Sequence, residues 1–294
     1  MIAPDRHVRY NIDMPSGDSP GNAQAFLDHY RQLARRLHRR LSDKRLLQDA
    51  EVIHKLRVSI KKIRAILTLV VELDEQAPVN EYSSLMKQIF RPSGKLRETQ
   101  VNLALIDGID NHGLGPYRQY LERREHKQTR RLIRELKRFD MKSLISCDHR
   151  LDTWLQGIDE QFLVDRIQSN IQSRQMLIRS LIPGTADIDN LHRIRINVRA
   201  LSEMLALLQD MQPDTELKAQ LDETKSILDV IGTWHDYDVL LASLFRFIDR
   251  HPDEVKLQTT ARMQELERKL ADQKQAAVDM LSHATCFTKP VGND

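Results

Sequence analysis

Aromatic residues are scarce in this chain, 5% of the total. That scarcity weakens any reading built on stacked bases, because single-strand nucleic-acid platforms need aromatic faces. Glycine and proline, ten each in 294 residues, are too few for a β-rich or loop-rich architecture. Two cysteines are present, Cys147 and Cys286, and neither stands in a C-x-x-C or other metal-ligand spacing. A disulfide framework and a zinc site are therefore disfavoured, and reduced thiols in a cytoplasmic setting are expected. No run of about 18 apolar residues exists to span a membrane. The first 20 residues, interrupted by Asp5, Asp13 and Asp18, have no apolar centre and read as a polar tail, neither signal peptide nor anchor. Also missing are a glycine-rich phosphate loop, an H-E-x-x-H and a G-x-S-x-G. With no catalytic constellation in view, binding without turnover is the expectation, and no cofactor or metal is expected.

What is abundant is helix-forming. Hydrophobic residues make up 40% and charged residues 30%, and Leu, Arg, Glu, Lys, Gln and Ala dominate, a composition of long helices. Apolar periodicity predicts helices over residues 23–41, 49–73, 81–109 and 117–138. A break is expected at Arg91-Pro92-Ser93-Gly94, and Asn111 to Pro116 reads as a loop. Residues 141–157 read as a partly helical connecting piece. Four more helices are predicted over 159–181, 190–211, 216–248 and 254–283. Short turns between them suit antiparallel packing. The expectation is an all-α fold of two tandem four-helix units, about 21–140 and 158–284, inside a domain of about 21–290.

The second unit repeats the first. HKLRVSIK, from His54 to Lys61, aligns with HRIRINVR, from His192 to Arg199, at an offset of 138 residues. GKLRETQV, from Gly94 to Val101, aligns with GTWHDYDV, from Gly232 to Val239, at the same offset of 138. Two separate matches at one offset indicate tandem duplication.

The repeated segment carries a basic face. On a helical wheel His54, Arg57, Lys61 and Arg64 fall within about 80° of arc, beside a core stripe of Ile53, Leu56, Ile60, Ile63 and Leu67. His192, Arg195 and Arg199 form the matching stripe. Cations crowded beside a core stripe repel one another unless an anion lies among them. Two further stripes are candidates: Arg31, Arg35 and Arg39 in the first helix, and Arg123, Lys127, Arg130 and Arg134 in the fourth. Arginine's planar fork suits bidentate phosphate contacts. Residues 1–140 hold 27 Lys+Arg against 18 Asp+Glu, leaving 18 and 24 for the rest, so the first half is the better anion surface. Glu98, Asp236 and Asp238 are read as structural partners of these arginines or of the stripe histidines.

Together these residues resemble the conserved histidine α-helical domain, the CHAD family. Its motif, similar to His-x-Leu-Arg-Val-x-x-(Arg/Lys)-(Arg/Lys)-Leu-Arg, is matched by His54, Leu56, Arg57, Val58, Lys61, Lys62 and Arg64, with Ile63 at a leucine position. In the second unit it is matched by His192, Arg195, Ile196 and Arg199. A later Gly-x-x-Arg-Asp-x-Asp-Val is met with departures: Glu98 and Gln100 replace aspartates, and His235 replaces the arginine. The resemblance implies two four-helix units related by pseudo-twofold symmetry, inorganic polyphosphate bound in a central basic groove or cavity, and association with polyphosphate granules. Ala200 and Ser202 stand where the pattern has cations, so the first unit is expected to dominate. Two other classes stay open: a nucleic-acid binder using the same arginines, and a metal or phosphohydrolase accessory protein, for which two symmetry-related histidines would need further ligands among repelling cations.

Overall fold

The structure, a computed structural model, describes residues 21–43, 49–109, 113–252 and 257–288. The polar tail read over residues 1–20 lies outside them. Among the described residues the chain forms helices α1 (Asn22–Leu41), α2 (Ala50–Leu73), α3 (Asn80–Asp107), α4 (Gly115–Arg138), α5 (Met141–Leu155), α6 (Glu160–Leu181), α7 (Ile188–Met211), α8 (Thr215–Arg250) and α9 (Leu257–His283), and no strand. A 3-10 turn, Ile182–Gly184, links α6 to α7. No helix is long and apolar enough to cross a membrane, among the described residues.

Five helices begin on an aspartate. Asp49, Asp140, Asp159, Asp187 and Asp214 each accept from backbone N–H groups of the first turn that follows. Such caps satisfy donors that no helical carbonyl can reach, and the starts of α2, α6, α7 and α8 fall within two residues of the expected ones.

Two expectations are corrected. Residues 141–157 are not a loose connector, because α5 is a full helix of 15 residues with Leu144, Cys147 and Leu151 completely buried. The expected break at Pro92 is absent, and α3 runs through it. Proline removes one N–H and crowds the preceding turn. Here side-chain donors occupy carbonyls of that turn. Ser93 Oγ donates to Ile89 O (2.8 Å), and the Arg57 Nη1 group donates to Phe90 O (2.9 Å).

The larger core joins α1, α2, the first half of α3, α5, α6, α7 and the first half of α8. Leu56, Ile60, Ile63, Leu191, Ile194 and Val198, the predicted stripe residues of α2 and α7, are all 0% exposed. Cutting one such Leu or Ile to Ala costs about 2–5 kcal/mol. A smaller core packs the end of α3 and start of α4 against the end of α8 and α9, through Ile106, Tyr117, Leu244 and Leu266. Contacts α1·α7, α2·α7 and α3·α8 tie the two halves together, so α2, α3, α7 and α8 meet at the middle of the molecule.

A polar knot fixes α5 against the first unit. Asp148 accepts from Tyr30 Oη (2.8 Å) and Tyr82 Oη (2.6 Å) and lies 2.5 Å from His38 Nε2. One turn away Asp152 takes two bonds from Arg31, at 2.6 and 2.9 Å.

Candidate functional site

Between α2, α3, α7 and α8 lies a cavity of about 520 Å³. Its walls repeat the 138-residue offset. Arg57 faces with Arg195, Lys61 with Arg199, Gly94 with Gly232, Arg97 with His235, Glu98 with Asp236 and Val101 with Val239. The duplication therefore builds one shared site from two copies of a surface that neither half could close alone.

Five cations line it: Arg57, Lys61, Arg97, Arg195 and Arg199. Among the described residues none has a carboxylate within 4.0 Å. Burial and mutual repulsion work in the same direction on them. Burial, then the guanidinium of Arg199, lowers the Lys61 ammonium to about 7. Burial, with Arg199 next, lowers Arg57 and Arg195 to about 10. Burial also lowers Arg199, against the attraction of Glu203 and Asp236. A buried charge without a partner costs free energy, so the empty site is a store of unbalanced positive charge.

Three acids also touch the cavity and differ in availability. Asp229 is exposed. Glu98 is drawn to Arg124 of α4, at 3.4 Å. Asp236 has no ion pair among the described residues, and burial pushes its carboxyl up while Arg195 and Arg97 pull it down. Behind the wall Glu203 is raised by burial and opposed by Lys62 and Arg199. The structural pairing expected of Glu98 and Asp238 is present, and that expected of Asp236 is not.

Arg57 is the most firmly held of the cations. Its guanidinium lies 4.3 Å over the Phe90 ring, bonds Phe90 O at 2.9 Å and reaches Ser93 Oγ at 3.4 Å. Gly94 makes room for this, because a Cβ there would meet Arg57 Nη1 at 2.8 Å. At Gly232 a Cβ would meet nothing within 4 Å. On the other side the Nε of Arg195 is buried without a hydrogen-bond partner.

The two motif histidines part company. His54 lines the cavity, and burial, then Arg97, lowers its pKa. His192 turns away: its ring packs 4.9 Å from Trp234, and Nε2 lies 3.5 Å from Asp238. The two halves differ at both contacts, since Leu96 stands where the second half has Trp234, and Gln100, which bonds Glu125 at 3.2 Å, stands where it has Asp238. His192, His235 and Asp238 bring ligand atoms within 4.8 Å of one another and are, among the described residues, the group spaced to hold a metal ion. Arg195 beside His235 opposes a cation there, and the same repulsion, added to burial, holds the His235 imidazole at about 4.

Of the predicted site residues, His54, Arg57, Lys61, Arg195 and Arg199 reach the cavity and the others do not. Lys62 lies toward Glu203 and Asp210. Arg64 is exposed, 4.9 Å from the Phe90 ring. Arg31 is engaged by Asp152, Arg35 lies on the same α1–α5 face, and Arg39 is exposed, so the α1 stripe belongs to a different surface. Arg123 and Lys127 line a separate groove, and Arg130 and Arg134 are exposed outside both. Arg97 and His235 were missed as site residues, although the second repeated segment contains both. Lys62 and Arg64 are off the cavity, so their replacement by Ala200 and Ser202 takes nothing from it. The imbalance between halves is Arg97 against His235.

The family model of the CHAD domain matches this chain twice, over residues 24–182 and 170–286, and the chain belongs to that family. Among solved structures it is similar to the CHAD domain from the plant Ricinus communis, with a TM-score of 0.66, 17% identity, and coverage of 95% of this chain and 98% of that one. At that identity the likeness speaks for the fold alone. No curated protein matched. The all-helical, internally duplicated architecture read from the sequence is thus the one observed.

Proposed function

We propose that this protein binds inorganic polyphosphate in the central cavity, by electrostatic capture without turnover. The observation that carries the reading is the ring of five cations from both halves with no carboxylate within 4.0 Å among the described residues. A chain of phosphates supplies closely spaced negative charge along one line, and its oxygens suit guanidinium forks. Binding relieves the repulsion that burial imposes on the empty site and releases condensed counterions from the ligand, as on nucleic-acid backbones. The walls present no free aromatic platform for bases, which favours a ligand made of phosphate alone. Family membership adds the expectation of polyphosphate binding, a cytoplasmic location and association with polyphosphate granules.

The test is a titration with polyphosphate of defined length, with single-stranded RNA competing at matched phosphate concentration. Polyphosphate should bind more tightly and release no free phosphate on incubation. Tighter RNA binding would overturn the choice of ligand, and phosphate release would overturn binding without turnover.

A further inference from the structure

A second basic concavity lies between α3, α4 and the end of α8, and shares no lining residue with the central cavity. Six cations line it: Lys95 of α3, Arg123, Arg124, Lys127 and Arg131 of α4, and Arg250 at the end of α8. Its volume is about 500 Å³, and no Asp or Glu is part of its wall. Among the described residues, Arg124 alone of the six has an acid within 4.0 Å, and that acid is Glu98 at 3.4 Å. Of the three acids of α4, Glu135 lies outside the groove wall and the other two are engaged elsewhere. Glu122 pairs with Arg118, and Glu125 accepts from Gln100 at 3.2 Å.

Such a cluster is unlike an ordinary solvated helix face. On a typical exposed helix, cations alternate with acids at spacings of three and four, and each pair contributes a little stability. Here Arg123, Lys127 and Arg131 repeat at a spacing of four on one helix, over about 12 Å of helix length, and Lys95 and Arg250 close on the row from two other helices. Like charges at that spacing are destabilising. Three elements converge cations on one concavity, and among the described residues five of the six have no counterion.

From this geometry we infer that the α3–α4–α8 groove is a second, independent anion site, which takes a short run of linked phosphates. The occupant follows from the lining. The Tyr120 ring at the groove is already packed against Tyr117, Phe247 and His251, at 6.2, 5.2 and 6.0 Å. One half-buried, already packed ring beside six cations makes the groove's lining chiefly a charge surface, which favours phosphate over nucleobase as the recognised group. The site has no twin in the second half. The position matching Lys95 is Thr233, which lines the central cavity, and α9 carries Glu265, Glu267 and Asp272 among its cations. The inference rests on the same phosphate chemistry as the cavity reading but on different residues. With two separately lined sites, one protein can hold a long polyphosphate at two points or bridge two chains.

Calorimetric titration with tripolyphosphate at low salt separates the two sites. Wild type should bind two per chain. The variant Arg123→Gln/Lys127→Gln/Arg131→Gln, at three exposed positions, should bind one and keep the wild-type melting temperature. The cavity variant Arg57→Gln/Arg199→Gln should also bind one, and salt should weaken that remaining site steeply. One site in wild type, or two in the groove variant, overturns the second site. Loss of all binding in the cavity variant overturns it as well, and leaves the cavity reading standing. The converse, no effect of the cavity variant with loss of one site in the groove variant, removes the cavity reading and keeps the groove. Displacement of the groove-bound tripolyphosphate by a phosphate-free nucleoside would contradict recognition of phosphate alone.

Discussion

The two walls of the central cavity descend from one sequence segment and have diverged in what holds their charges. The α2–α3 wall offers Arg57, Lys61 and Arg97, with His54 beside them, and anchors Arg57 on Phe90 and against Gly94. The α7–α8 wall offers Arg195 and Arg199, replaces the third cation with His235, adds Asp236 and gives its motif histidine to Asp238. Duplication thus supplied the geometry of a ring, and later substitution shifted the charge toward one side. What the difference teaches is that the number of motif matches does not set the strength of a wall. The matched cations Lys62 and Arg64 lie off the cavity, while Arg97, outside the histidine motif, lies in it.

The largest effect should come from breaking this asymmetry at its origin. Arg97→Gln should lower polyphosphate affinity about ten- to a hundredfold, the worth of one charge-assisted contact. His235→Gln at pH 7.5 should change it little, because that imidazole, at about 4, is already neutral. His235→Arg should raise affinity and lower the melting temperature of the free protein, since it adds a sixth crowded cation. Isothermal titration and thermal melting of the three variants decide the matter. Equal losses in Arg97→Gln and His235→Gln would dissolve the distinction between the walls.

The next effect is on pH dependence. The Lys61 ammonium sits at about 7 in the free protein, and a bound anion favours its charged form. Binding therefore takes up a proton, and affinity should increase as pH falls from about 8 to about 6, by at most tenfold per pH unit for one group. His54, lowered below its usual 6.5 by burial, should respond only below this range. Lys61→Arg should flatten the profile between about pH 8 and 6, and His54→Gln should flatten it only below about pH 6. A flat wild-type profile between about pH 8 and 6 would show that Lys61 does not meet the ligand.

Stability should move the other way at the same residue. Lys61→Met removes a buried, repelled charge from the free protein. The melting temperature should rise by about 2–4 °C, which corresponds to about 1 kcal/mol at this size, while affinity falls. A lower melting temperature would mean that Glu203 compensates Lys61 more fully than its surroundings indicate.

The smallest effect concerns the α1 stripe. Arg31→Ala should cost about 1 kcal/mol of stability through loss of the half-exposed pair with Asp152, and leave affinity unchanged. Weakened polyphosphate binding in the folded variant would return α1 to the site.

Most of the fold was legible because apolar residues recur at helical spacing between short Pro- and Gly-bearing turns. The uninterrupted α3 was not legible, since a proline in an apolar periodic stretch reads as a break, while here the helix passes it in a packed setting where Pro92 and Ser93 are buried and Arg57 bonds Phe90 O. The candidate site was legible where the repeat marks it: His54, Arg57, Lys61, Arg195 and Arg199 all reach the cavity. Periodicity placed cations on one face of α1 but carries no information on which neighbour that face meets. The neighbour is α5, with Asp148 and Asp152, in a stretch read as a connector. Arg97 stood in the second repeated segment, opposite His235 at the same offset, but because the two positions differ in residue type the alignment did not mark them as one site.

The central claim is that cations from both halves grip one polyanion. It is tested most directly by the slope of log affinity against log salt for polyphosphate, measured in the Arg123→Gln/Lys127→Gln/Arg131→Gln background so that only the cavity is read. Adding Arg57→Gln and Arg199→Gln, one cation from each wall, should lower that slope by about two, roughly one per lost phosphate contact. If each replacement alone lowers it by about one, both walls touch the same ligand. An unchanged slope on removing Arg199 would mean that the second wall never meets the anion, and would contradict the shared site.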